Sequence, residues 1–106
     1  MRIWDVPCVQ LSRSHLLGEH RELHALWNIL RRLEAGESRV GYARHPETQR
    51  WVGHGEALWR RHEEQAAEIA RRGWRHLSPL EGGVDGSDEW PAVRLPGSVP
   101  RYLRED

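Results

Sequence analysis

The chain contains no lysine and no phenylalanine: its 16 basic residues are all arginine, and its aromatics are six tryptophans and two tyrosines. A GC-rich genome suffices to explain arginine-only usage, but the chemical consequence holds whatever the cause. The only aliphatic amine is the α-amino group of Met1, so Schiff-base chemistry is confined to the terminus. The single cysteine, Cys8, excludes an internal disulfide and a multi-cysteine zinc site, and reads as a buried, inert thiol. No apolar run approaches the roughly 18 residues of a membrane span. The opening MRIWDVPCVQ has no basic stretch leading into an apolar one, so no signal peptide is expected and cytoplasm is the default location. Net charge is zero, which removes any whole-molecule electrostatic argument for nucleic acid; binding would require the cations to be segregated onto one face. A nucleophile elbow, a P-loop and a G-x-G-x-x-G are all missing.

What is present describes one small all-α domain of 106 residues, with two or three helices, long loops and an irregular C-terminal tail. Residues 1–10 read as an arm, with Ile3, Trp4 and Val6 as apolar anchors and Pro7 limiting helix. Leu16, Leu23, Trp27 and Leu30 repeat at helical spacing between an N-cap at Ser12 or Ser14 and a stop at Gly36, which predicts a helix over about residues 13–35. Pro46 opens a second helix, about 46–53. After a break at Gly53 and Gly55, a third runs over about 55–72, with Leu58, Trp59, Ala66, Ile69 and Ala70 on its apolar side. The stretch from His76 onward holds four of the six prolines and four of the ten glycines and should wrap the helices through Leu80, Trp90, Val93 and Leu95. Trp4, Trp27, Trp59 and Trp74 are the expected aromatic core.

Seven histidines invite a metal reading. His20 and His24 are four apart in HRELH, superficially a zinc-protease motif, but Glu22 is third rather than second and projects away from the face the histidines share. No metal is expected. On a helical wheel at about 100° per residue, Leu16, Leu23, Trp27 and Leu30 form one stripe, while His15, Glu19 and Glu22 cluster within about 40° beside it. Spacing alone makes such a seam a solvated face. Its position at the core edge also allows its carboxylates to be half buried against another segment, with Gly18 permitting close approach.

The stretch MRI, followed twelve residues after Ile3 by HLLGEHREL, resembles the start of the phage endonuclease V family. These are pyrimidine-dimer DNA glycosylases with abasic-site lyase activity, in which a helix carries H-L-x-x-E-x-R-E-L at matching distance from the terminus. RRHEEQAAEIARRGW is similar to the family's second long helix, and HPETQRW to a motif of its shorter bacterial members. The resemblance covers about residues 1–76.

That resemblance implies a chemistry. The α-amine of Met1 attacks C1′ of the damaged nucleotide, the base departs, an imine forms, and Glu22 assists β-elimination. An α-amine ionises near pH 8, so about a tenth or more is neutral at pH 7, against well under 1% of a lysine amine. By the same matching Arg2 and Arg21 grip phosphates and His15 orients the site or contacts a phosphate. Arg44, Arg50, Arg60 and Arg61 are candidates to extend the phosphate track, with ordinary surface charge as the other reading. The implied partner is double-stranded damaged DNA with the target base displaced from the stack, met by a monomer without membrane, metal or organic cofactor. Three departures accompany it. Met1 stands where the family exposes a threonine, and Arg2 is too bulky for the usual methionine removal. Ala25 replaces a further arginine. The family's aromatic and basic C-terminal segment is not recognisable, though Trp90, Arg94, Arg101, Tyr102 and Arg104 are possible substitutes. A lyase or glycosylase for abasic sites or another modified base, and a non-catalytic DNA-binding module of the same fold, are the alternative readings.

Overall fold

Ser12 begins the first helix: its Oγ accepts from the backbone N–H of His15, and α1 then runs Arg13–Glu34 before Gly36 turns the chain with φ +79°. Short α2, Pro46–Trp51, is capped by His45, whose Nδ1 accepts from Glu47 N–H at 3.0 Å, with proline in the first turn where it sacrifices no helical bond. Gly53, at φ +84°, redirects the chain into α3, Gly55–Arg71, and Gly73 ends it at φ +83°. A single 3-10 turn, Cys8–Gln10, closes the N-terminal arm. The computed structural model describes residues 1–75, 78–93, 99–100 and 103; Leu95, Arg94, Arg101, Tyr102 and Arg104 lie outside the described residues. No helix among the described residues is long and apolar enough to cross a membrane.

Two apolar clusters hold these pieces. Ile3 of the arm joins Leu23, Leu26, Trp27 and Leu30 of α1, Trp51 of α2, and Ala57 and Leu58 of α3, with Met1, Leu80 and Val84 packed against them. The second joins Cys8, Leu11, Leu16 and Ile69, flanked by Trp4, Val6, Leu17 and Trp74. On α1 the residue between the clusters is Glu19; on α3 they are Arg61, His62 and Gln65. All four are buried. A polar layer therefore cuts the α1–α3 interface at mid-height. Burial pushes the Cys8 thiol well above its ordinary pKa despite the opposing charge of Arg61, so the thiol stays protonated and unreactive.

Two expectations from spacing are corrected. Trp51, not Trp59, is the fully buried tryptophan; Trp59 is 44% exposed because the inward face of α3 runs through Leu58, Arg61, His62 and Gln65, and position 59 lies one step off it. Gly18 admits no close neighbour, since an added Cβ would find nothing within 4 Å. Among the described residues the glycines that permit close approach of another backbone are Gly55 and Gly86. A Cβ at Gly55 would sit 2.0 Å from the Val84 carbonyl oxygen, and one at Gly86 would sit 2.3 Å from the backbone carbon of Gly53. Ser87 N–H donates to Gly53 O and Ala57 N–H to Ser87 O, which fastens residues 84–87 to the start of α3.

Gly55→Ala is expected to destabilise by about 1 to 3 kcal/mol by forcing this segment away, whereas Gly18→Ala should be neutral or stabilise by up to about 1 kcal/mol through helix propensity. Urea unfolding of the two variants side by side measures the contrast.

Candidate active site

The N-terminal arm crosses the polar layer, and the layer grips it by its backbone. Ile3 N–H donates to Glu47 Oε2 at 2.7 Å, while Ile3 O accepts from Arg50 Nη1 at 3.4 Å. One residue on, the pattern repeats: Trp4 N–H donates to Glu19 Oε1 at 2.7 Å, and Trp4 O accepts from Arg61 Nη2 at 3.0 Å. Within each clamp the acid and base pair with each other. Arg50 Nη1 lies 3.2 Å from Glu47 Oε1, and Arg61 places Nε and Nη2 on the two Glu19 oxygens at 2.8 and 3.0 Å. Arg50 also donates to Asp5 and to Ala92 O, and Gln65 Nε2 donates to Glu19. Burial works against the Arg61 charge, but the hydrogen bond and charge of Glu19 outweigh it and raise its pKa above the ordinary arginine value.

Further along, Cys8 N–H donates to Glu64, and Arg72 donates to the carbonyls of Cys8 and Leu11. Arg72 is itself paired with Glu68, whose carboxyl is lowered to about 2, first by its hydrogen bond to Arg71 and, against the cost of burial, by Arg72. From residue 3 to residue 11 the arm is thus fixed by side chains of all three helices.

This geometry sorts the residues singled out by sequence. Met1 packs against the cluster containing Leu23 and Leu26, and half-buried Glu22 stands on α1 one turn beyond Glu19 on the same side. Among the described residues no ion pair within 4.0 Å joins the Met1 amine to Glu22. Arg2 lies over the Trp4 ring at 5.3 Å, and His15 meets the same ring edge-on while its Nδ1 contacts Ser12 Oγ at 2.7 Å. Arg21 and Arg44 are exposed, as is Arg60, which pairs with Glu56 and Asp88.

Arg50 and Arg61 are the correction: their side chains are 0% and 2% exposed, turned inward to the arm rather than outward to a phosphate track. Trp90, an expected anchor of the tail on the helices, donates its indole N–H to Asp5 and lies edge-on to Trp51 at 5.0 Å. Sequence reasoning missed Glu47 and Gln65. The available signal was HPETQRW itself, in which an acid and a base three apart share a short helix with a core tryptophan.

With the arm in place, the comparison with known families decides the class: the model described as pyrimidine dimer DNA glycosylase matches residues 1–81. The chain belongs to that family. The match contains the arm, both clamps and all three helices. The protein is accordingly a DNA glycosylase of a repair family, and damaged DNA is its substrate. Neither the curated proteins nor the solved structures contain a match.

Removing one partner of a buried pair leaves the other charge uncompensated. Glu19→Ala is expected to cost about 3 to 5 kcal/mol, while Glu37→Ala, which breaks the exposed Arg32–Glu37 pair, should cost under about 1 kcal/mol. Chemical denaturation of both variants gives the comparison.

Proposed function

We propose that this glycosylase acts on pyrimidine dimers in duplex DNA and cleaves the strand through an imine on its own N-terminus. The observation that carries the reading is the double clamp on residues 3 and 4, which holds the backbone two residues from Met1 against Glu19 of α1 and Glu47 of α2. A freely moving terminus would lose the orientation that makes an amine effective against a bound sugar. With no lysine in the chain, the Met1 amine has no aliphatic competitor.

In the proposed reaction the neutral amine attacks C1′, a C–N bond forms, and the bond from C1′ to the base breaks, the base leaving with a proton. The sugar ring opens as the imine forms. Glu22 as carboxylate stabilises the positive charge that develops on the sugar and then accepts the C2′ proton, while the C3′–O bond breaks and releases the 3′ phosphate. Water hydrolyses the imine and restores the amine. The partly buried setting of Glu22 strengthens both roles by reducing solvent screening. Arg2, His15, Arg21, Arg44 and Arg60 are the candidate phosphate contacts, Arg21, Arg44 and Arg60 from the exposed surface. Dimer chemistry requires the amine to reach C1′, so the damaged nucleotide is displaced from the helix stack on binding.

Borohydride trapping on dimer-containing duplex and on abasic-site DNA tests this directly. The native terminus should give a covalent adduct with both, N-terminal acetylation should abolish it, and Glu22→Gln should slow strand cleavage by about 100-fold or more. Absence of adduct with the native terminus contradicts the imine mechanism; adduct and cleavage confined to abasic DNA contradict the assignment to dimers.

A further inference from the structure

Three histidines converge in the polar layer, on its side next to Gln65. His20 and His24 stand one turn apart on α1, and His62 reaches them from α3. Their candidate ligand nitrogens all lie within 4.8 Å of one another. Ring centres are 4.8 Å apart for His20–His24, 5.0 Å for His20–His62 and 5.0 Å for His24–His62. That near-equilateral triangle is what a tetrahedral centre demands: with metal–nitrogen bonds of about 2.0 to 2.1 Å, three imidazoles sharing one ion have ring centres roughly 5 Å apart.

We propose that His20, His24 and His62 bind one zinc-class divalent ion that cross-links α1 to α3. Neighbouring groups hold two of the rings in the coordinating orientation. His20 Nδ1 is 2.8 Å from Gln65 Oε1, and His62 Nδ1 is 3.0 Å from Glu63 Oε1. In the coordinated form each oxygen accepts from Nδ1–H and Nε2 presents its lone pair to the ion; a carboxylate or carbonyl behind a histidine is the usual support for a metal ligand. The Nε2 atoms of His20 and His24 are buried. His62 Nε2 lies 3.2 Å from Ser78 O, a hydrogen bond that coordination replaces. Coordination brings the nitrogens, which lie within 4.8 Å of one another, to the roughly 3.4 Å spacing of a tetrahedral ion.

The donor set is three neutral imidazoles without thiolate or ligating carboxylate, which suits zinc and its neighbours rather than calcium or magnesium. A groove lined by Leu17, His20, Arg21, His24 and Ser78 opens beside the cluster, from which water would supply the fourth ligand. The site is separate from the Met1 chemistry, yet Gln65 connects them mechanically: its carbonyl supports His20 and its amide supports Glu19, which holds Trp4. HRELH alone does not show the site, because its third ligand lies 38 residues beyond His24 on another helix (62 − 24).

Tag-free full-length protein, stripped with chelator, is titrated with Co2+ as a spectroscopic probe and then with Zn2+. One equivalent of Co2+ should give the intense visible bands of tetrahedral coordination, Zn2+ should bleach them, and either ion should raise the melting temperature by several degrees. His24→Gln, at a half-buried position, and His62→Gln should each weaken binding at least tenfold, with His54→Gln unchanged as the control. No tetrahedral spectrum from the native chain overturns the proposal; so does equal affinity in His24→Gln, a result that stands even if His62→Gln fails to fold.

Discussion

Two carboxylate–guanidinium pairs, Glu47 with Arg50 and Glu19 with Arg61, hold the backbone of residues 3 and 4, and the rest of the molecule is arranged around that grip. Burying four charges in a domain this small is costly, because each loses its hydration and recovers it only through exact pairing. The cost is offset here by giving each carboxylate a backbone N–H and each guanidinium a backbone C=O of the same residue, so that the arm itself completes the hydrogen bonding. Hydrophobic packing of Ile3 alone would attach the arm but tolerate sliding; charge-assisted bonds to a particular N–H and C=O do not. The layer thus specifies a position more than it adds net stability.

Position is what the proposed chemistry of a terminal amine needs. The family assigns the chain to pyrimidine dimer DNA glycosylases, and the match over residues 1–81 embraces the whole gripping apparatus. Arginines divide accordingly. Arg50 and Arg61 turn inward and Arg72 holds the 3-10 turn, whereas Arg21, Arg44 and Arg60 stay outside, where a polyanion can reach them. In a chain of zero net charge, contact with DNA depends on outward arginines of this kind rather than on the whole-molecule charge.

Much of the helical frame was legible in the sequence, because apolar spacing reports which face of a helix is buried. The same wheel exposed the seam of His15, Glu19 and Glu22 beside the core. It did not identify what lies on the seam, which is the arm at Trp4. Partners separated by 42 to 44 residues, as in Arg61 with Glu19 and Glu47 with Ile3, leave no trace in local periodicity. Arg50 and Arg61 read as outward-facing phosphate contacts for that reason: a lone arginine in a helical pattern looks solvated unless its acid is known. Sequence spacing points to Trp59 rather than Trp51 because α2 is too short to display a face, while α3 displays one whose inward side is partly polar. The same distance in sequence hides His62 as a neighbour of His20 and His24.

If the double clamp governs the arm, the amide protons of Ile3 and Trp4 should exchange with solvent only through large-scale unfolding, as slowly as those of buried α1 residues such as Leu23 and Leu26. Native-state hydrogen exchange resolved by residue measures this in the DNA-free protein. Protection of Ile3 and Trp4 equal to that of the α1 core supports the account. Exchange at the rate of an open chain, with α1 fully protected in the same sample, contradicts it.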